Sequence, residues 1–274
     1  MPTPRHITQS FRRSPAIPYA ELRSTWHSHH AYKRHTHPQL SLGAIVQGET
    51  HSVCQGRKYH LHEGDLILIA PNAVHSCNPV GGGTRSYHML YLKPEWCLSQ
   101  LAPWHSSGGT ALHCPPAIIR DPRLFQEYLD IVDLMTQQQT DVLPQRLSAL
   151  LQSLPGLGVS KAANTLPYSE RLQTRLLADL QSPPTLDQLA GEFSLRKETL
   201  IRHFRRETGL TPGAFLSNAR VEFARERLRA GDDITDVGYQ SGFADQSHFH
   251  KTFVNYTAST PGQYAGRRSI SDNS

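Results

Sequence analysis

Gly242-Phe243-Ala244-Asp245-Gln246-Ser247-His248-Phe249-His250-Lys251-Thr252-Phe253, followed by Thr260-Pro261-Gly262-Gln263-Tyr264, is the second occurrence of one pattern in this chain. Its Phe249-x-Lys251-x-Phe253, Ala258, Thr260-Pro261-Gly262 and Tyr264 match Leu200-x-Arg202-x-Phe204, Gly209, Thr211-Pro212-Gly213 and Phe215, forty-nine residues earlier. Upstream, Leu186-x-x-Leu189-Ala190 recurs 48 residues on as Ile234-x-x-Val237-Gly238. Apolar residues three and four apart, bounded by Gly and Thr-Pro, mark helices with defined stops. Two copies of one helical unit predict two similar surfaces used side by side.

The first copy, about 185–208, divides into two helices. Thr185 is a good N-cap for a helix through Phe193, with Leu186, Leu189 and Ala190 inward. Ser194 is expected to cap the next helix, which runs to Thr208 and stops at Gly209. Leu200 and Phe204 anchor that helix, leaving Arg196, Lys197, Thr199, Arg202, His203 and Arg206 on other faces. Five basic residues against one acid fall between Ser194 and Arg206. The second copy, about 233–257, turns at Gly242-Phe243 and restarts at Ala244 or Asp245. It carries Gln246, Ser247, His248, His250 and Lys251 outward, with Phe249 and Phe253 inward.

A short helix, a tight turn, and a helix buried on one side and basic on the other predict a recognition helix for the major groove. Arg can fork to guanine and Gln can pair bidentately with adenine. Flanking cations such as Arg205 suit phosphate. Between the copies, Thr211-Pro212 opens a helix ending near Gly231. Its 18 or so residues span roughly 27 Å, against about 34 Å for one DNA turn. The alternative for this half is a helical bundle with a solvated basic face.

These residues resemble the AraC/XylS family of bacterial transcriptional regulators over about Ser169 to Ala265. The resemblance implies two helix-turn-helix motifs in consecutive major grooves of double-stranded promoter DNA. It also implies activation by contact with RNA polymerase, with repression left open. Two positions depart from the family pattern. Gly238 stands where Ala is usual, and Ala258 where Gly is usual, so Ala258 is expected in a left-handed conformation at a cost of about 1 kcal/mol or more.

Composition bounds the rest. At 274 residues the chain has room for two domains. No apolar run approaches a membrane span, and Met1 to Ala20 carries Arg5, Arg12 and Arg13 without the apolar stretch of a signal peptide. Four scattered cysteines without a CxxC suit reduced thiols in the cytoplasm. The net charge of +5 permits a polyanionic partner. From Leu166 onward, however, 14 basic face 13 acidic residues, so the charge is local to the recognition segment.

Residues 21 to about 92 read as short strands punctuated by Gly and Pro: Leu40–Val46, Lys58–Leu61, Leu66–Ala70 and Tyr87–Leu92. Ten of the sixteen histidines fall between His27 and His88. This half resembles the cupin-like effector domain of the same family, through His35-Thr36-His37, Gly48, Gly64-Asp65-Leu66, Pro71 and His75. In metal-binding cupins a Glu follows the first two histidines; here Ser41 stands in its place. His35, His37 and His75 are therefore expected to line an effector pocket with Tyr87, and are weaker candidates for metal ligands. No cofactor is required. Arg85, His88 and Tyr91 are further lining candidates, while His27, His29 and His30 are expected at the surface. Past Pro115-Pro116, helical spacing places one helix from Asp121-Pro122 through Met135 and another from about Pro144 to Leu154. They either pair with a second subunit as a homodimer or cover the barrel's edge. Pro155-Gly156-Leu157-Gly158 and the polar run to Pro167 read as a linker, and the tail from Gly266 as frayed.

The expected architecture is α+β and multidomain. A cupin-like β-barrel over 1–115 senses a small-molecule effector, a helical linker segment covers 116–166, and an all-α double helix-turn-helix domain covers 167–274. The expected function is effector-controlled, sequence-specific transcriptional regulation, without membrane association or catalysis. The rival readings are a metal-dependent cupin enzyme with a helical accessory domain, and a non-specific architectural DNA binder.

Overall fold

The computed structural model describes residues 8–102, 111–160 and 168–266. The linker residues 161–167 and the tail from Arg267 lie outside that description. Contacts divide the described residues into two units: 8–31 with 36–160, and 168–266 with Tyr32–His35.

The first unit is built on antiparallel strands. These are β1 (Thr8–Arg12), β2 (Ala20–Ser28), β3 (Leu40–Gly48), β4 (Thr50–Cys54), β5 (Arg57–Leu61), β6 (Leu66–Ile69), β7 (His75–Pro79) and β8 (Arg85–Leu92). After α1 (Pro94–Leu101) come β9 (Ala111–His113), β10 (Ala117–Ile119), α2 (Pro122–Thr136), α3 (Leu143–Ser153) and β11 (Gly158–Ser160). A six-stranded sheet runs β1-β2-β8-β3-β6-β10, and a three-stranded sheet runs β5-β4-β7. Arg85 of β8 reaches across to donate to the Cys77 carbonyl on β7.

Alternation sorts each central strand into two faces. Leu22, Leu40, Leu42, Leu66, Leu68, Leu90 and Leu92 form one apolar core with Tyr128, Ile131, Val132 and Met135 of α2 and Leu147, Leu150 and Leu151 of α3. The Tyr128 hydroxyl seals this contact by donating to the Leu42 carbonyl at 3.0 Å. The leucine stripe of α3 is thus buried within the chain, as the covering alternative requires. The other sheet face carries Arg23, Thr25, Ser41 and Tyr87, all buried.

Gly158–Ser160, read as linker, is strand β11 and pairs antiparallel with β9, Val159 opposite Leu112.

The second unit is helical: α4 (Tyr168–Leu177), α5 (Leu186–Glu192), α6 (Lys197–Thr208), α7 (Pro212–Arg229), α8 (Ile234–Gln240), α9 (Gln246–Thr257) and α10 (Pro261–Tyr264). Leu172 and Leu176 of α4 close a core with Leu189, Leu200 and Phe204. In the second copy Val237, Phe249, Phe253 and Tyr264 are buried. Helix α7 packs against α4 and α6 of the first motif's core and against α8, α9 and α10. Its buried Arg225 donates to Glu222 at 2.8 Å and to the Tyr264 hydroxyl at 3.2 Å, fixing α10 to the scaffold. No described helix is long and apolar enough to cross a membrane.

Candidate nucleic-acid interface

The two copies build their turns the same way. Thr185 caps α5 with a reciprocal capping box to Gln188. Asp233 caps α8 by accepting from the amides of Thr235 and Asp236. Each short helix then leaves through one left-handed residue, Ser194 (φ 52°) in the first copy and Gly242 (φ 80°) in the second. The expectation that Ser194 caps α6 is therefore wrong. Arg196 is the N-cap, without a side-chain cap bond, and Ser194 forms the turn. In the second copy Asp245 is the cap, accepting from the His248 amide at 2.7 Å. Both recognition helices end left-handed, at Gly209 (φ 79°) and at Ala258 (φ 53°). The strain expected at Ala258 is present, and the residue is fully buried.

Helices α6 and α9 each bury one stripe and expose the other. Leu200 and Phe204 are sealed inside the first motif, Phe249 and Phe253 inside the second. Arg196, Arg202, Arg205 and Arg206 are exposed on α6 and its cap, as are Ser247, His248, His250 and Lys251 on α9. Glu198, Ile201, Arg202, Arg205 and Arg206 line one shallow groove along α6.

Other candidates are held within the unit. Lys197 ion-pairs with Asp187 of α5 at 2.6 Å. Gln246 donates to the Thr235 carbonyl of α8 at 2.8 Å. Thr199 and His203 are half-buried, and the His203 ring meets Tyr168 edge-on at 6.4 Å. Gly238 is where Gln246 passes: a Cβ there would lie 2.6 Å from its amide nitrogen. The Ala usual at that position in the family would thus crowd this glutamine.

In the β unit, His37 and His75 come together with ring centroids 4.8 Å apart, and Tyr91 meets His37 edge-on at 5.4 Å. Ser41, in the place of a metal cupin's carboxylate, has its hydroxyl 3.4 Å from His37 Nε2. The Nδ1 atoms of His37 and His75 are engaged by the carbonyls of Gln39 and Ala73. Burial pushes the His75 imidazole down to about 4, so it is neutral near pH 7. Tyr87 is buried between two guanidinium groups, Arg85 at 5.1 Å and Arg23 at 5.8 Å from its ring. Arg23 of β2, which the sequence did not single out, is buried beside the Tyr87 ring. His35 belongs by contacts to the helical unit, where its Nδ1 lies 2.8 Å from the Lys33 carbonyl. Of the histidines expected at the surface, His27 and His29 are exposed and His30 is half-buried.

Comparison with known proteins gives a consistent assignment. The family model for the AraC-like ligand binding domain matches residues 18–178, and a helix-turn-helix domain model matches 189–267. The transcriptional activator RhaS of Klebsiella pneumoniae is 26% identical over 237 residues, 81% of this chain and 84% of that protein. The activator RhaR of Escherichia coli K12 is 24% identical over 270 residues, covering 88% and 89%. An uncharacterised helix-turn-helix regulator of Bacillus subtilis, YbfI, is 24% identical over 236 residues, covering 79% and 81%. Among solved structures, ToxT of Vibrio cholerae with a bound unsaturated fatty acid aligns with a TM-score of 0.57 at 16% identity, over 94% of each chain. A ligand-free ToxT variant aligns at 0.60 and 14%, over 92% of this chain and 98% of that one. At these identities the structures speak for the fold alone.

Proposed function

The chain belongs to the AraC family of transcriptional regulators, with a ligand-binding domain ahead of a helix-turn-helix domain, and from that premise we propose how its residues divide the work. Helices α6 and α9 enter consecutive major grooves of promoter DNA. Arg196, Arg202, Gln246, Ser247 and His248 meet base edges, and Lys197, Thr199, His203, Arg206, His250 and Lys251 meet bases or backbone at the flanks. The observation that carries this reading is the pair of helices with exposed polar faces, both packed on α7. Gln246 keeps one amide N–H and its oxygen after serving Thr235, the two groups that match adenine N7 and N6.

The β-unit interior around His37, His75 and Tyr87 is the effector site in this reading, with His35 as a further candidate and Arg23 and Arg85 beside Tyr87. A small molecule binding there shifts the population of DNA-binding arrangements. The relatives RhaS and RhaR are named activators, which supports activation as the outcome; contact with RNA polymerase and a place in the cytoplasm complete the proposal. A homodimer would use the outer faces of α2 and α3, because their inner stripes are buried within the chain. A cupin-type oxygenase reading finds a serine hydroxyl, not a carboxylate, beside His37.

Footprinting on the DNA next to the protein's own gene, with and without candidate metabolites, tests the proposal. It expects protection of two adjacent major-groove segments and a preference of roughly 10³ or more over random DNA. Equal affinity for all sequences would replace it with architectural binding.

A further inference from the structure

Away from the β-unit interior and the DNA-facing helices, Glu49, His60 and His62 form a separate group of ligand-type side chains. All three are exposed, and one donor atom from each lies within 4.8 Å of the others. The hairpin makes the grouping. Strands β4 and β5 pair with His51 opposite His60 and Thr50 opposite Leu61. Side chains alternate across a strand, so Glu49 and His51 leave one strand on the side where His60 and His62 leave the other. Thr50, Ser52 and Leu61, on the opposite side, are buried.

The side chains are already in contact. Glu49 Oε2 stands 2.8 Å from His60 Nε2. The His60 ring lies 4.2 Å from His62 and 4.8 Å from His51. The loop bearing His62 is fixed by buried Asp65, which accepts from the His62 amide at 2.9 Å and is gripped by Arg120 at 3.1 Å. Asp65 Oδ2 also lies 3.9 Å from His62 Nδ1, beyond hydrogen-bond reach, so Asp65 positions the backbone of His62 rather than its ring.

We propose that Glu49, His60 and His62, with His51 as an adjacent fourth donor, bind a divalent transition metal ion of the zinc, nickel or copper class. Two imidazoles and a carboxylate are the donor set such ions prefer. Tetrahedral ligands about 2.0–2.2 Å from an ion lie roughly 3.4 Å from one another. The Glu49–His60 contact therefore opens slightly and the longer separations close, movements that exposed side chains make by rotamer adjustment. The ion takes the place of the Nε2 proton of a neutral His60, which is then carried on Nδ1, and Glu49 offers its carboxylate oxygen to the ion instead of to that N–H.

An ordinary exposed Glu–His pair would need neither His62 nor the cross-strand register, and this separates the two cases. The experiment titrates Zn²⁺ into the tag-free full chain by calorimetry and follows Co²⁺ by visible absorption. The same titrations are run on His60→Gln, His62→Gln and, as a distant control, His113→Gln. Wild type and control are expected to bind an equivalent that each of the other variants loses or binds at least about tenfold more weakly. The Co²⁺ d–d bands should fall with it, and circular dichroism checks that the hairpin variants stay folded. Unchanged stoichiometry and affinity in both variants overturns the site, as does a wild type that takes up no Zn²⁺ below about 1 mM, the weak limit of useful affinity.

Discussion

Lys197 and Asp187 are joined by a 2.6 Å ion pair between the first residue of α6 and the second of α5. The same two places in the second motif are held by a 2.8 Å hydrogen bond from Gln246 to the Thr235 carbonyl. Each recognition helix is thus latched at its entry to the helix that supports it. Exposed ion pairs contribute about 0–1 kcal/mol, so Lys197→Ala should leave urea stability within about 1 kcal/mol. Gln246→Ala loses about 1 kcal/mol of net hydrogen bonding and about 1–3 kcal/mol of discrimination at one base pair. Competition binding across single-base operator variants measures the latter. A uniform loss on every operator would remove Gln246 from the base-reading set.

Arg196 and Arg205 are both exposed but stand at opposite ends of α6. Arg196 sits at the entry of α6, where helix-turn-helix motifs meet base edges. Arg205 sits in its last turn. Arg196→Ala should relax preference at a particular base pair. Arg205→Ala should weaken binding almost equally on all sequences and lower the salt slope by about 1. Affinities measured over a salt series on two operators distinguish these outcomes, and parallel behaviour of the two variants would contradict the assigned roles.

Gly242 carries the turn of the second motif at φ 80°, against the backbone of Leu180, whose carbonyl also accepts both arms of Arg220 at 2.9 and 2.7 Å. A Cβ at 242 would run into that carbonyl. Gly242→Ala therefore combines a left-handed penalty of roughly 1–2 kcal/mol with a backbone displacement. A loss of about 2 kcal/mol or more in chemical denaturation is expected. Ser194→Gly at the matching turn should be neutral or mildly stabilising, and equal effects at both turns would refute the close-approach argument.

The helical half was readable because each helix announces itself by period and stop residue. Ala258 could be expected left-handed from Gly209 at the matching place alone. Ser194 was misplaced because serine is a common N-cap and a rare left-handed residue, so local chemistry pointed to the wrong role. In the β unit the apolar strands β3, β6 and β8 were legible. Strand β2, Ala-Glu-Leu-Arg-Ser-Thr, hides its identity because its second face lines a polar interior. Strand β11 had no local signal, since its partner β9 lies more than forty residues away and the pairing exists only in the fold. For the same reason Arg23 could not be placed beside Tyr87 from spacing, although Arg85, two residues before Tyr87 on one strand, could, and the Glu49–His62 cluster exists only through the β4–β5 pairing.

His75 makes the β unit less stable as acid is added. Burial is the larger influence and lowers its pKa from 6.5 to about 4, with the bond to the Ala73 carbonyl opposing. Between those values the unfolded chain takes up a proton that the folded chain refuses, so stability falls as pH drops from about 6.5 towards 4. At 1.36 kcal/mol per pKa unit the loss is about 3 kcal/mol across that window. His88, also lowered by burial, adds in the same direction. His75→Gln removes the larger contribution, so its urea midpoints at pH 7.5 and pH 4.5 should lie closer together than those of wild type. A variant whose midpoints follow wild type through the whole window would show that His75 is not the group that titrates.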